Sequence, residues 1–369
     1  LAAGEAAPPT PPPTPAPEPA PAVAPAPELA LAQAIAAALQ RNETGIIARE
    51  RLEQAQARYR LATAAFMPRL SGSGGWNHTW DSNAPFAEDH GDWQSLGATI
   101  TLPLFDPAAF PGLQAARAQR EARRLLSSEE RRQLAYATAR SYLAVLGTEQ
   151  ALAAAVRRRA LAQQTLDTAR TRFDAGLAAQ GDVNRTELEL ARSDLARTEA
   201  ARGRDVARIG LAELVVDPSA RGASLPAPGI AAPAARDPVA LTDAARTHRD
   251  DLQAQTLAIS AANAEARAYL ALGLPSLDAS AGGVRTWSDD LPQYDIDENE
   301  WRAALTLRWD LYDGGSRYAR ADEAKARARE GAAALARSLR SLRSEVDSAL
   351  VELAAAEESV RQGEVQDRA

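Results

Sequence analysis

Two stretches of this sequence are copies of one plan, and that duplication limits the fold more than any other feature. At a constant offset of 207 positions, Pro68-Arg69-Leu70 recurs as Pro275-Ser276-Leu277 and Leu104-Phe105-Asp106 as Leu311-Tyr312-Asp313, with Arg60 falling on Arg267. The match runs without a gap from about Ala37 to Asp106, which similar composition alone does not produce. A repeat this long means that one structural unit is used a second time. Proline marks the borders. Residues 1–28 hold 11 of the 23 prolines and read as a Pro/Ala-rich linker. Residues 217–238, with Pro218, Pro226, Pro228 and Pro233, separate a first repeat (29–216) from a second (239–369).

Each repeat reads helix, strand, strand, helix. The first helix, about Leu29 to Phe66, contains no proline and is expected to stop at Pro68, because the residue before a proline is pushed toward extended geometry. Alternation follows. Leu70, Gly72, Gly74, Trp76, His78 and Trp80 share one face, with Arg69, Ser71, Ser73, Asn77 and Thr79 opposite. Leu96, Ala98, Ile100, Leu102 and Leu104 share one face of the returning segment. In the second repeat the apolar sets are Leu277, Ala279, Ala281, Gly283 and Trp287, then Trp301, Ala303, Leu305, Leu307, Trp309 and Leu311, with Arg302, Thr306, Arg308 and Asp310 opposite. The spacing predicts four strands, at about 67–80, 92–105, 275–288 and 300–312, long enough to cross a bilayer at a tilt.

A helical hairpin is predicted over 112–216. Its first arm, about Gly112 to Ala175, has no proline, and the seam Tyr136, Ala139, Leu143, Leu146, Ala153 continues as Leu166, Ala169, Phe173, Leu177. Gly176 and Gly181 supply the freedom to reverse the chain, and Asp182 can cap the returning helix.

Composition removes several functions. There is no cysteine, so disulfides, thiolate metal sites and cysteine nucleophiles are excluded, and three histidines leave little for imidazole chemistry. A net charge of −7, with arginines interleaved among acids, offers no nucleic-acid footprint. No apolar run approaches the length of a spanning helix, which leaves a β-barrel open. Asp295-Ile296-Asp297-Glu298-Asn299 starts like a calcium loop but lacks its glycine and its twelfth-position glutamate, so an acidic, solvated strand tip is expected. His78, Asp89, His90 and Asp92 lack ligand spacing and read as a polar loop. No metal and no cofactor is predicted. All six tryptophans (Trp76, Trp80, Trp93, Trp287, Trp301, Trp309) fall in or beside the strands, a placement that fits an interfacial aromatic girdle better than the alternative, a soluble sheet with a tryptophan-rich core.

In order along the chain, several short elements resemble the outer-membrane efflux protein (TolC-like) family. They are the helix leading into Pro68-Arg69-Leu70, Leu102-Pro103-Leu104-Phe105-Asp106, Tyr142 with its long helix, Arg172-Phe173-Asp174-Ala175-Gly176-Leu177 followed by Asp182-Val183, and Tyr312-Asp313-Gly314-Gly315-Ser316-Arg317. The resemblance implies a mainly α fold with a transmembrane β part. Three chains would each give four strands to one twelve-stranded barrel, above a long periplasmic α-helical barrel. It implies a passive channel in the bacterial outer membrane, working as a homotrimer with a periplasmic adaptor protein and an inner-membrane pump or ABC transporter, in contact with outer-membrane lipid. On this resemblance Gly176, Leu177 and Gly181 would touch the adaptor, Arg172 and Asp182 would help close the entrance, and Pro68, Pro103, Pro275, Gly314 and Gly315 would form the strand–helix junctions. A turn glycine and a helix cap account equally well for Gly176 and Asp182. The Asp106-Pro107 junction is expected to differ in shape from Asp313-Gly314-Gly315. The offset carries the second hairpin tip past Ala369, so the sequence is expected to end within the second descending helix, short of that tip's acidic constriction. A periplasmic adaptor would explain the hairpin but not the duplicated tryptophan-bearing strands. A carboxylate hydrolase is disfavoured because the acids lie beside arginines along helix surfaces.

Overall fold

The computed structural model describes residues 28–78, 92–229, 237–287 and 298–368. The elements run α1 (Leu31–Arg41), α2 (Glu43–Ala64), β1 (Arg69–His78), β2 (Asp92–Phe105), α3 (Ala109–Asp174), α4 (Gln180–Val215), a short 3-10 turn (Pro218–Gly222), α5 (Pro238–His248), α6 (Asp250–Ala271), β3 (Ser276–Trp287), β4 (Glu298–Arg308) and α7 (Ser316–Arg368). The duplication holds in three dimensions. Shifted by 207, the bounds of α1 and α2 become those of α5 and α6, and the first residue of α3 becomes that of α7.

The single helix expected over about Leu29 to Phe66 is divided at Asn42. Asn42 takes an extended backbone (φ −70°, ψ 135°), and its side-chain oxygen accepts from Thr44 N at 2.9 Å. Asparagine competes with helical hydrogen bonding in this way, which favours a cap over a helix interior. Its Nδ2 donates to Leu214 O (3.1 Å), satisfying a carbonyl in the last turn of α4. The equivalent position in the second repeat is Arg249, also extended, between α5 and α6. Arg249 grips Asp251 with two nitrogens (3.0 and 2.8 Å) and reaches Glu345 with the third (2.7 Å).

The strand-to-helix junctions show the same pattern of common geometry built by different chemistry. Asp106 accepts from Ala108 N and Ala109 N (2.9 and 3.3 Å), and Asp313 accepts from Gly315 N and Arg317 N (3.1 and 2.8 Å). Pro111 is tolerated because it sits in the first turn of α3, where its missing N–H has no intrahelical partner to lose. Gly314 and Gly315 instead use positive φ (70° and 85°). Behind them, Phe66 and Phe110 meet edge to face at 5.2 Å in the first repeat. At the equivalent positions of the second, the Arg317 guanidinium lies where a Cβ on Gly273 would be, 2.9 Å from its Nη1, and donates to Asp310 O and Leu311 O.

The described residues form two compact units. One contains residues 28–33, 142–213 and 217–228. In it α3 and α4 pair through Ala162, Leu166 and Val183, flanked by ion pairs Arg158–Glu189, Arg159–Asp194 and Arg170–Glu187. Tyr142, fully buried, places its hydroxyl 2.7 Å from Pro226 O and 3.1 Å from Leu29 O, and Arg208 donates to Arg221 O and Ala223 O while pairing with Glu149. The other unit contains residues 34–141, 214–216 and 229–369, and holds the sheet and the helices next to it, with Ala122, Leu125 and Ala254 in a common core.

The seam expected along α3 is displaced. Leu134, Thr138, Tyr142 and Val145 are the buried positions, whereas Tyr136 and Leu143 are exposed. The polar members decide this: Thr138 Oγ1 donates to Leu134 O (2.8 Å) and Tyr142 has its two carbonyls, so both are buried with partners.

The sheet is antiparallel in the order β1-β2-β3-β4. β4 ends at Arg308, opposite Ser276, before the expected limit at 312, because β3 offers no residue beyond Ser276 to pair with. Trp309 instead donates Nε1–H to Gly273 O at 3.0 Å. Gly282 is required where β2 and β3 approach, since a Cβ there would lie 2.7 Å from Ala98 O. Gly282→Val is therefore expected to break β2–β3 pairing and destabilise the fold by at least about 2 kcal/mol, read as a lowered melting temperature. A near-native melting curve would contradict that close approach.

Arg249 holds the Asp251 carboxyl below its ordinary range, chiefly through their hydrogen bonds. A depressed folded pKa stabilises above the ordinary carboxylate value and loses that contribution as pH falls through the depressed one. Asp251→Asn is expected to lower the melting temperature at neutral pH, with the difference closing below about pH 4; a pH-independent difference would argue against the charge-based account.

Candidate functional site

The register turns four separate alternations into one two-faced surface. Leu70 pairs with Ile100, Ile100 with Ala281 and Ala281 with Ala303; a neighbouring row joins Gly72, Ala98, Gly283 and Trp301. A third brings Leu102 beside Ala279 and Leu305. Through these rows one face is apolar across all four strands, giving way to Arg285 and Asn299 beside Leu96 toward the loop end, and it is bare: Leu70 is 78% exposed, Leu305 66% and Trp301 84%. The opposite face carries Ser71, Thr99 and Gly282 in one row and Arg69, Thr101, Ser280 and Ala304 in the next, followed by Arg302, Thr306 and Arg308. On this polar side Gly282 leaves no room for a side chain, since an added Cβ would lie 2.7 Å from Ala98 O.

The tryptophans divide between the faces. Trp76 and Trp287 both lie beside Gln94 at the loop end of the apolar face, and Trp301 lies over Gly283, where an added Cβ would meet its ring at 3.0 Å. Trp309 follows β4 at the other end, about 26 Å of strand from Trp301 at ~3.3 Å per residue. Trp93 pairs with Asn77 and belongs to the polar face, unlike Trp76, Trp287 and Trp301. Trp80 lies outside the described residues, as do Asp89, His90 and Asp295. His78 Nδ1 and Asp92 Oδ1 are 2.6 Å apart at the first loop.

Of the expected junction residues, Pro68, Pro275, Gly314 and Gly315 lie where strands and helices meet, and Pro103 does not. Pro68 and Pro275 each stand immediately before a strand, β1 and β3 respectively. Pro103 lies within β2 where the register to β3 shifts, the kind of irregularity that tolerates a residue without an N–H.

At the hairpin tip, Leu177 N donates to Arg172 O and Gly176 N to Phe173 O, both at 2.8 Å, while Gly176 takes φ +70°. This is a complete Schellman closure of α3. It leaves Leu177 79% exposed. Asp182 sits at the third position of α4 and its carboxylate accepts from Ala179 N at 3.3 Å, half of a capping box. Gly181 lies in the same first turn with open space around it. Arg172, Leu177 and Asp182 line one groove, floored by Thr165, Thr168 and Ala169. No ion pair joins Arg172 to Asp182 among the described residues.

The chain matches the outer membrane efflux protein family over residues 34–215 and 241–364, and it belongs to that family. It is 29% identical over 287 residues to protein CyaE of Bordetella pertussis, an alignment covering 75% of this chain; the chain spans 59% of CyaE's length. Among solved structures, the outer membrane protein VceC of Vibrio cholerae superposes with a TM-score of 0.76 at 21% identity, covering 90% of this chain and 81% of VceC. The outer-membrane channel OprN gives 0.76 at 20% identity, covering 91% and 77%. These likenesses establish the fold, four antiparallel strands on a mainly helical chain.

Gly176→Val is expected to strain the left-handed position by about 1–2 kcal/mol, and Asp182→Ala to remove a cap worth about 1 kcal/mol. Hydrogen exchange should rise about fivefold or more, at the Leu177 amide for Gly176→Val and at the Ala179 amide for Asp182→Ala; unchanged protection would show that these bonds do not hold the tip.

Proposed function

We propose that this chain is the outer-membrane channel component of a tripartite efflux or type I secretion system, a passive conduit from periplasm to exterior. One observation carries the reading: a four-stranded sheet with a bare apolar face, an opposite face of mainly polar residues, and edges at β1 and β4 without a neighbour among the described residues. In lipid, an unpaired edge leaves backbone groups unsatisfied at several kcal/mol each. Pairing β4 of one copy with β1 of the next removes every edge, and three copies give twelve strands, an even number in the range of natural barrels. The apolar face then meets lipid and the polar face lines water. A homotrimer also gives partners to the exposed Tyr136, Leu161, Leu188 and Leu195 of α3 and α4, apolar groups that would otherwise stay wet.

In this reading the two repeats, 29–216 and 239–369, each supply two strands, and transport involves no covalent step and no cofactor. Energy comes from an inner-membrane pump or ABC transporter reached through a periplasmic adaptor. The exposed Leu177, between Gly176 and Gly181, supports an adaptor contact at the tip, and the groove shared by Arg172 and Asp182 supports a polar gate there.

The two faces give the test. Leu305→Arg puts a cation on the lipid side, where it costs about 2–4 kcal/mol near the midplane, and is expected to abolish insertion and conductance in planar bilayers. The neighbouring Thr306→Arg should still insert and shift ion selectivity toward anions. Equal insertion by both variants would refute the face assignment, and a strictly monomeric, water-soluble parent chain would refute the channel.

A further inference from the structure

A cavity of about 470 Å³ lies in the unit that holds the sheet, bounded by α2, α3, α6 and α7. Its floor is apolar, formed by Ala55, Ala122, Leu126, Ala254 and Ile259. Its rim is basic, with Arg58, Arg123 and Arg327 against a single carboxylate, Glu265. That carboxylate is already engaged. Glu265 Oε1 accepts from Gln119 Nε2 at 2.6 Å, and its Oε2 lies 3.7 Å from Arg327 Nη1. Arg327 also pairs with Glu323. Arg58 and Arg123 have no carboxylate partner among the described residues, so the rim carries uncompensated positive charge.

Independently, the cavity's one lining amide from α6 is short of partners. Gln255 Nε2 makes a long 3.3 Å bond to Ser338 Oγ, and Gln255 Oε1 is buried with no hydrogen-bond partner among the described residues. A buried acceptor left in this state has lost its hydration with no bond in exchange. Rotation about the terminal torsion of glutamine, which is broad and roughly two-fold, can turn either end of the amide toward the cavity.

Charge without a counter-ion, an apolar floor and a half-satisfied amide are together the makings of a small-molecule site. We propose that the cavity binds a small organic acid with an apolar body. Its carboxylate sits between Arg58 and Arg123, whose guanidinium groups suit paired hydrogen bonds to a carboxylate. The body lies over the alanines and Ile259, and a polar substituent at its far end meets the Gln255 amide. The site depends only on the helices of this unit and stands whether or not the chain conducts.

The probe is 4-hydroxycinnamate, titrated against the full chain in detergent at low ionic strength and followed by calorimetry and ligand-observed NMR. Saturable binding at one site per chain is expected, with Kd in roughly the 0.1–1 mM range for a ligand of this size. The methyl ester, which lacks the charge, should bind about tenfold more weakly. Arg58→Gln combined with Arg123→Gln should weaken the acid about tenfold and leave the ester unchanged, while Arg131→Gln, on the same helix outside the cavity, changes neither. Gln255→Leu should remove the preference for 4-hydroxycinnamate over cinnamate. Equal binding of acid and ester by the unaltered chain overturns the proposal, and this comparison needs no variant to fold. So does a loss at Arg131→Gln matching that of the cavity pair, which would mark general charge attraction, or the absence of saturation below about 10 mM.

Discussion

Backbone pairing between β2 and β3 holds this molecule's plan together. The two strands come from different repeats, separated in sequence by the long hairpin and the proline-rich connection, yet they form the centre of the sheet. Strand side chains alternate with a period of two, so a slip of one residue at this pairing would move the apolar residues of one repeat onto the polar side of the other. The register that places Ile100 beside Ala281 and Ala98 beside Gly283 is what joins two half-surfaces into one. Gly282 fixes the approach, because any side chain there would strike the Ala98 carbonyl.

Duplication preserved geometry while chemistry diverged. The bounds of α1 and α2 recur to the residue in α5 and α6, but the break between the paired helices is an asparagine cap at Asn42 and a branched ion pair at Arg249. The junction behind the strands is an aromatic contact at Phe66 and Phe110 and an arginine laid against a glycine at Arg317 and Gly273. Asn42 and Arg317 also give partners to carbonyls, of Leu214 and of Asp310 and Leu311, whereas the aromatic contact and the Arg249 ion pairs hold the same geometry without doing so. What is retained is therefore the set of boundary conditions, and side chains are free to change provided that they meet them.

The helices depend on small residues. Ala122, Ala254, Ala261 and Ala264 are buried where larger side chains would be expected in a globular core, and closely packed alanines let helix backbones approach. The charged groups sit outside these seams in ion pairs such as Arg158–Glu189 and Arg51–Glu130, exposed and individually worth less than about 1 kcal/mol. At the cavity rim Arg58 and Arg123 have no such partner among the described residues, whereas Arg327 pairs with Glu323.

Much of this could be read from the residues in order. Alternation along 70–76 and 301–307 gave the strands and the composition of their faces, and proline gave the borders, because these are local consequences of side-chain period and of a missing N–H. The offset of 207 gave the duplication. Features that depend on distant partners were beyond it. Asn42 interrupts its helix because the Leu214 carbonyl waits for its amide, and Leu134, Thr138, Tyr142 and Val145 displace the expected seam because carbonyls at Leu29 and Pro226 receive the Tyr142 hydroxyl. Trp93 looked like its five counterparts, and only the pairing with Asn77 assigns it to the polar side. Local periodicity states which residues share a face of one element; which faces then meet is settled by pairing between segments far apart in the chain, and no spacing rule encodes that.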